Sequence, residues 1–247
     1  MAAEAPASTP PTKAEWFVRF TPGQRLQHLV VMVTFITLAV TGMPQKYPDA
    51  GWSQALISLL GGIDLTRLIH RLVGGAFVAA CVYHVADVGF RSLVRRQPLT
   101  MVPTAKDARD AVAMVRYSLG LVQQPPVFGR YDYRQKFEYW GLWFGGIAMI
   151  VSGLVLLYPT WATRVLPGQF VPASRALHSN EALLALLTIT VWHMYSAHLS
   201  PNVFPFDSSI FTGRISRHRQ HEEHPLEPAP TERRAPAANA EPPQEQA

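Results

Sequence analysis

Apolar residues crowd into four long runs, at about residues 26–43, 68–93, 137–158 and 176–199, with polar sequence between and beyond them. A helix that crosses a bilayer needs roughly 20 mostly apolar residues, because the hydrocarbon core is about 30 Å thick and each residue rises about 1.5 Å. Helix breakers bound each run. Pro22-Gly23 precedes the first and Pro44 closes it, Pro98 follows the second, Pro159 ends the third and Pro201 the fourth. A soluble core explains one or two such runs; four in a chain of 247 residues predict an all-α, integral-membrane four-helix bundle. The first run starts too late for a signal peptide, is too long for its apolar region and lacks a small-residue cleavage site, so a retained helix is expected.

The polar stretches add less. Residues 1–19 and 222–247, rich in Pro, Ala and Glu, are expected to be disordered flanks of a domain spanning 20–221. Between the second and third runs, Ala108, Ala111, Val112 and Val115 recur at helical spacing opposite charged residues. That pattern predicts a short amphipathic helix over 104–119, lying on the membrane surface or docking a partner. The second and fourth runs share a loose likeness, and no stronger internal repeat is present.

Charge orients the bundle. The chain carries 22 Lys and Arg against 17 Asp and Glu, a net charge of +5. The basic residues form no single patch, so nucleic acid is not an expected partner. Most of them flank the two ends or lie between the second and third runs, which four crossings bring to one side of the membrane. Lys46, Arg67, Arg71, Arg164 and Arg175 fall on the other. The excess of positive charge on the cytoplasmic side then puts both termini in the cytoplasm of a bacterial-type inner membrane.

The single cysteine, Cys81, excludes an internal disulfide framework, a cysteine-only zinc site, an iron–sulfur cluster and a c-type haem attachment motif. Metal chemistry here must rest on histidine or carboxylate. Of nine histidines, His218, His221 and His224 fall near the polar tail and read as solvated, while His28, His70, His84, His178, His193 and His198 lie in or at the ends of the apolar runs. Histidine facing lipid is costly, so an intramembrane imidazole faces the bundle interior and needs a partner there. These six sort by depth. His70 and His178 begin the second and fourth spans at the outer level; His28, His84, His193 and His198 lie at the inner level. The 14 residues from His70 to His84 return the side chain to within about 40° of one helix face, and the 15 from His178 to His193 to within about 60°.

Imidazoles facing one another at two depths suit the axial coordination of two stacked b-type haems. Gly74 and Gly75 leave room for a porphyrin face, or equally for close helix packing. Arg25, Arg67, Arg71 and Arg175 stand where propionates would emerge, and serve equally as interfacial anchors. Glu181, three residues after His178, could orient that imidazole, bind a propionate or pass a proton.

The stretches Arg25-Leu-Gln-His28, Thr41-Gly42, Arg67-Leu-Ile-His70, Arg130-Tyr-Asp-Tyr-Arg-Gln-Lys136, Ser152-Gly153, Leu177-His178 and Trp192-His193-Met-Tyr195, in this order, resemble the gamma subunits of respiratory formate dehydrogenases. That family of four-helix di-haem cytochromes b also includes nickel–iron hydrogenase cytochrome b subunits. The resemblance covers roughly residues 20–225. It implies an outer haem b on His70 and His178 and an inner haem b on His28 and His193. Three features depart from the family: His84 is an additional inner histidine, the His178–His193 spacing is one residue longer, and His198 adds another imidazole. A pairing of His84 with His193 therefore stays open beside His28 with His193, and so does a third inner haem. The family exchanges electrons with quinone beside the inner haem, which implies menaquinone or ubiquinone contacts at Asp132, Gln135, Lys136 and His198. Here Asp132 replaces a neutral asparagine and Arg134 a glycine.

The expected function is that of a membrane electron-transfer subunit relaying electrons between a redox partner and the quinone pool of a respiratory chain. No substrate-oxidising module is visible, so an iron–sulfur subunit, a multihaem cytochrome or a dehydrogenase is the expected partner. Two other readings remain at this level. A stand-alone transmembrane haem b reductase is one, although no nucleotide-binding motif feeds it. A haem-free histidine-containing transporter or anchor is the other, although the histidines cluster near the two faces and not at the midplane.

Overall fold

The computed structural model describes residues 16–201 and 203–227. Its elements, in chain order, begin with β1 (Trp16–Val18), α1 (Pro22–Lys46), α2 (Gly51–Leu59), α3 (Ile63–Leu93) and α4 (Ala105–Ser118). They continue with α5 (Tyr133–Leu157), α6 (Pro159–Val165) and α7 (Phe170–Leu187), which runs on through π-helical turns to Leu199. A short α8 (Ser209–Thr212), β2 (Arg214–Ser216) and α9 (Arg217–Glu223) complete it. Four of these helices, α1, α3, α5 and α7 with its extension, are long and apolar enough to cross a membrane, with mean hydropathies of 1.8, 1.6, 1.9 and 1.3.

The packing is inverted relative to a water-soluble protein. Leu26, Val33, Ile36, Leu72, Val82, Phe144, Val151 and Val191 are exposed, while Thr34, Thr41, Thr66, Ser152 and Ser174 are buried. Lipid tails are as apolar as leucine, so nothing drives large apolar side chains inward; small and hydroxyl residues line the contacts because they let backbones approach. Thr34, Thr41, Thr66 and Ser152 discharge their protons to carbonyls of their own helices, as Thr34 does to Val30 at 2.8 Å. α1 packs along α3, α5 along α7, and α1 also meets α7, so the two antiparallel pairs close into one bundle.

The helices outrun the apolar runs that predict them. α3 begins at Ile63 and α7 at Phe170, each a turn or more before its span, because polar residues at a membrane surface still join the helix. Pro44 does not end α1 but sits inside it, and the helix continues to Lys46. A proline in the last turn forfeits a single backbone hydrogen bond, which is tolerable there. α5 is started by a capping box, in which the Asp132 carboxylate accepts from Gln135 N at 2.9 Å and the Gln135 side chain accepts from Asp132 N at 3.1 Å. α4 is the amphipathic helix expected over 104–119. It has no buried residue, and Asp107 at its start holds Lys136 of α5 at 2.8 Å.

The described ends add detail to a mostly helical chain. β1 pairs antiparallel with β2, Phe17 opposite Ile215, which is fully enclosed. Residues 222–227 pack instead of trailing away. Glu227 accepts from Arg19 at 3.1 Å and from Arg130 at 2.6 Å, and His224, expected to be solvated, is buried with Nδ1 2.8 Å from the carbonyl of Gly129. Burial pushes the His224 imidazole pKa down, and the Arg19 guanidinium beside it adds to this. The rest of the expected disordered flanks, 1–15 and 228–247, lies outside the described residues.

Candidate functional site

The outer pair is built from all four long helices. His70 of α3 and His178 of α7 face each other with ring centres 6.3 Å apart and planes at 72°. Behind each ring stands a hydroxyl from the neighbouring helix. Thr41 Oγ1 of α1 lies 2.9 Å from His70 Nδ1, and Ser152 Oγ of α5 lies 3.0 Å from His178 Nδ1. Both hydroxyls already donate their only proton within their own helix, Thr41 to the carbonyl of Thr37 at 2.7 Å and Ser152 to that of Ala148 at 2.6 Å. Each can therefore only accept from the imidazole. Nδ1 must carry the ring proton, and Nε2 is left as a bare lone pair. The next residue on each hydroxyl helix is a glycine, and the ring occupies the space above it. A Cβ at Gly42 would sit 3.1 Å from His70 Cε1, and one at Gly153 would sit 3.2 Å from His178 Cε1.

The inner pair repeats the spacing with different support. His28 of α1 and His193 on the π-helical extension of α7 have ring centres 6.3 Å apart, planes at 35°. His193 Nδ1 is bonded to a carboxylate, Glu138 Oε2 of α5, at 2.8 Å. A carboxylate accepts, so here too Nδ1 bears the proton. The π-helical turns Thr188–His193 account for the long spacing in this span. A π turn is an α-helix carrying one additional residue. It absorbs the fifteenth step, so that His193 returns to the bundle face on which His178 stands.

His84 is held differently. Its Nδ1 is 2.7 Å from Gln27 Oε1 and its Nε2 2.9 Å from Tyr139 Oη. The Gln27 amide nitrogen donates to Asp87 at 2.9 Å, which fixes its oxygen as the acceptor for His84 Nδ1–H. Tyr139 then donates to Nε2 and accepts from Trp143 Nε1 at 3.0 Å. Both nitrogens of His84 are thus taken, by Gln27 and by Tyr139. Among the described residues no three His, Cys, Asp or Glu side chains converge as a protein-only metal site would require.

The remaining candidates divide. Arg25 donates to the carbonyl of Phe211, and its Nε is buried without a partner, beside His28. Arg71 and Arg175 are exposed next to the outer pair. Asp132 is buried as the α5 cap and ion-paired with Arg134 at 2.6 Å, Gln135 completes the cap, and Lys136 is buried against Asp107. His198 stacks on Phe206 with centres 4.4 Å apart, and its Nδ1 is buried without a partner. Glu181 lies over Gly145, where a Cβ would come within 2.5 Å of its carboxylate; Ser152 occupies the orienting position behind His178. Glu138, Gln27 and Tyr139 were not among the expected residues. A glutamate one residue into a span was the available signal, since an intramembrane carboxylate usually has a named partner.

No protein-family model matches the chain. Its curated relatives carry one description. It is 27% identical over 188 residues to the cytochrome b556(fdo) subunit of formate dehydrogenase from Escherichia coli strain K12, covering 75% of this chain and 80% of that one. To the cytochrome b556(Fdn) subunit of the nitrate-inducible formate dehydrogenase of the same strain it is 23% identical over 214 residues, 87% and 91% of the two chains. To the formate dehydrogenase cytochrome b556 subunit of Haemophilus influenzae it is 24% identical over 183 residues, 73% and 70%.

Proposed function

We propose that this chain, a relative of the cytochrome b subunits of formate dehydrogenases, is a membrane-embedded di-haem cytochrome b subunit passing electrons between a dehydrogenase partner and the quinone pool. The observation that carries the reading is the repeated 6.3 Å between facing imidazoles. Two metal–imidazole bonds of about 2 Å each, with about 1 Å from each nitrogen to its ring centre, call for about 6 Å. A face-to-face contact between stacked rings is shorter, as His198 on Phe206 shows at 4.4 Å, and the wider spacing recurs in both histidine pairs. The proton-bearing Nδ1 of His70, His178 and His193 supports the same reading, since it leaves Nε2 free to bind a metal.

On this reading His70 and His178 hold the outer haem b, and His28 and His193 the inner one. Haem b supplies a one-electron iron couple when bound. The protein does the rest. Thr41, Ser152 and Glu138 fix the tautomer and rotation of their imidazoles before any metal arrives, Gly42 and Gly153 give the outer rings room, and the lipid-facing apolar shell excludes water. Arg25, Arg71 and Arg175 are the candidate propionate partners. The occupied nitrogens of His84 support His28 as the partner of His193, and with it two haems instead of three. A groove of about 280 Å³ beside His28, lined by Pro22, Arg25, Leu26, Met32 and Phe211, supports quinone exchange at the inner level. Both termini are then cytoplasmic, in a bacterial-type inner membrane, with an iron–sulfur or dehydrogenase subunit as the redox partner.

The test is the reduced-minus-oxidised absorption of the purified chain with its haem content. A b-type band and two haems per polypeptide are expected; a colourless, folded preparation overturns the proposal. The glycines offer a second test. Gly42→Leu and Gly153→Leu keep every ligand yet drive a branched side chain into the ring, and overpacking of this kind costs about 1–3 kcal/mol. Each is expected to lower outer-haem occupancy by about tenfold or more at limiting haem, read as the ratio of haem to protein, with the inner haem retained.

A further inference from the structure

The groups behind the histidines of the two pairs differ in charge, which bears on redox potential. Behind the outer histidines stand neutral hydroxyls, Thr41 and Ser152, at 2.9 and 3.0 Å from Nδ1. Behind His193 stands a carboxylate, Glu138, at 2.8 Å, mostly enclosed and itself touched by the Ser196 hydroxyl at 3.4 Å. We infer that Glu138 is a positioning residue that lowers the reduction potential of the inner haem by drawing the Nδ1 proton of His193 toward its carboxylate. The inference rests on the di-haem reading above.

The physics is that of the outer shell of a metal site. A hydrogen bond to an ionised acceptor is shorter and roughly twice as strong as one between neutral groups. A stronger acceptor on Nδ1 gives the imidazole anionic character, so Nε2 becomes a stronger donor. A stronger donor stabilises the ferric state, which carries the larger positive charge, more than the ferrous one. A hydroxyl that has already spent its proton on a backbone carbonyl gives a weaker pull. In a low-dielectric bundle the difference is amplified, because the carboxylate is poorly screened. Glu138 therefore makes the inner site harder to reduce than the same ligands would be with a hydroxyl behind them.

The experiment is a potentiometric titration of the purified chain at fixed pH, with haem content measured alongside. Glu138→Gln keeps the shape and a neutral acceptor. It is expected to shift the reduction equilibrium of one haem about tenfold toward the ferrous form, which is ~59 mV for a one-electron couple, and to leave the other unmoved. Glu138→Thr, which copies the outer arrangement, is expected to move the same component in the same direction. The unaltered chain gives a check that needs no variant. The near-infrared charge-transfer bands of its oxidised form, which follow the donor strength of the axial imidazoles, are expected to differ between the two haems. Unchanged potentials in a variant with two haems, a shift of the outer component, or identical bands in the unaltered chain overturn the inference. An unaltered chain without haem defeats the di-haem reading instead, and that result is distinct from all three.

Discussion

Alanine at His70 or at His178 is expected to leave one haem per chain instead of two, and alanine at His28 or His193 to remove the other. A haem placed between facing rings would be held to the protein chiefly through its iron–imidazole bonds, and each pair here is a single facing couple with ring centres 6.3 Å apart. Deleting one ring opens a gap that no neighbouring donor fills. Ser152 and Thr41 have their protons committed to backbone carbonyls, and Glu138 points at the far nitrogen of His193. His84 provides the contrast. To ligate iron through Nε2 it would have to give up the bond from Tyr139, about 1 kcal/mol and one of the two that tie α1, α3 and α5 together here. His84→Asn is therefore expected to retain two haems, at the cost of some thermal stability. The measurement is haem per polypeptide in the five variants. Two haems in His70→Ala would defeat the outer pair; one haem in His84→Asn together with two in His28→Ala would transfer the inner site to His84.

Much of this site is legible in the sequence because depth along a helix is linear. Residue number counts rise, so His70 and His178 near the start of two descending spans, and His28 and His193 at the opposite level, can be placed without coordinates. The four spans are equally legible, since hydropathy reports where lipid must be. What the pattern cannot carry is rotation. Fifteen residues from His178 to His193 leave a 60° misfit on an ideal helix, and only the π-helical turns of Thr188–His193 bring the imidazole round. The choice between His28 and His84 has the same character: both lie at the right depth, and what separates them is which neighbours claim their nitrogens. Glu138 reads as the first turn of an apolar span until His193 is seen beside it. Pairings between distant residues are hidden more completely. Arg19 and Glu227 are 208 residues apart, and β1 and β2 have three residues each, too short for any alternation to register.

That distant pairing carries the other large effect. Glu227→Ala is expected to release the cap that ties β1, the segment before α5 and α9 together. Glu227 bridges two guanidiniums, Arg19 with 3% of its side chain exposed and Arg130 with 32%. The same guanidiniums donate to each other's backbone, Arg19 to the carbonyl of Arg130 and Arg130 to that of Arg19 at 2.7 Å, so they cannot turn to water without opening the cap. Removing one partner of a buried pair leaves a charge uncompensated, a loss of about 3 kcal/mol here, at the lower end of the range because Arg130 is partly solvated. Acid should act in the same direction. Burial by itself would raise the Glu227 pKa, but the hydrogen bond from Gln220 and the charges of Arg130 and Arg19 outweigh it, and the carboxyl is held below its ordinary range. A depressed pKa contributes stability that is present above the unfolded value, about 4.3, and is lost as the pH falls through the folded one. The unaltered cap is thus expected to stay closed at neutral pH and to loosen in acid below about pH 4. In Glu227→Ala it should be open already at pH 7. Amide exchange of the β1–β2 pair and protease cleavage before Pro22 report this directly, while haem content should not change, because none of the three residues touches a histidine of either pair. Protection of Phe17 and Ile215 that is equal in the two proteins at neutral pH would show that the sheet holds the cap and the ion pairs merely decorate it.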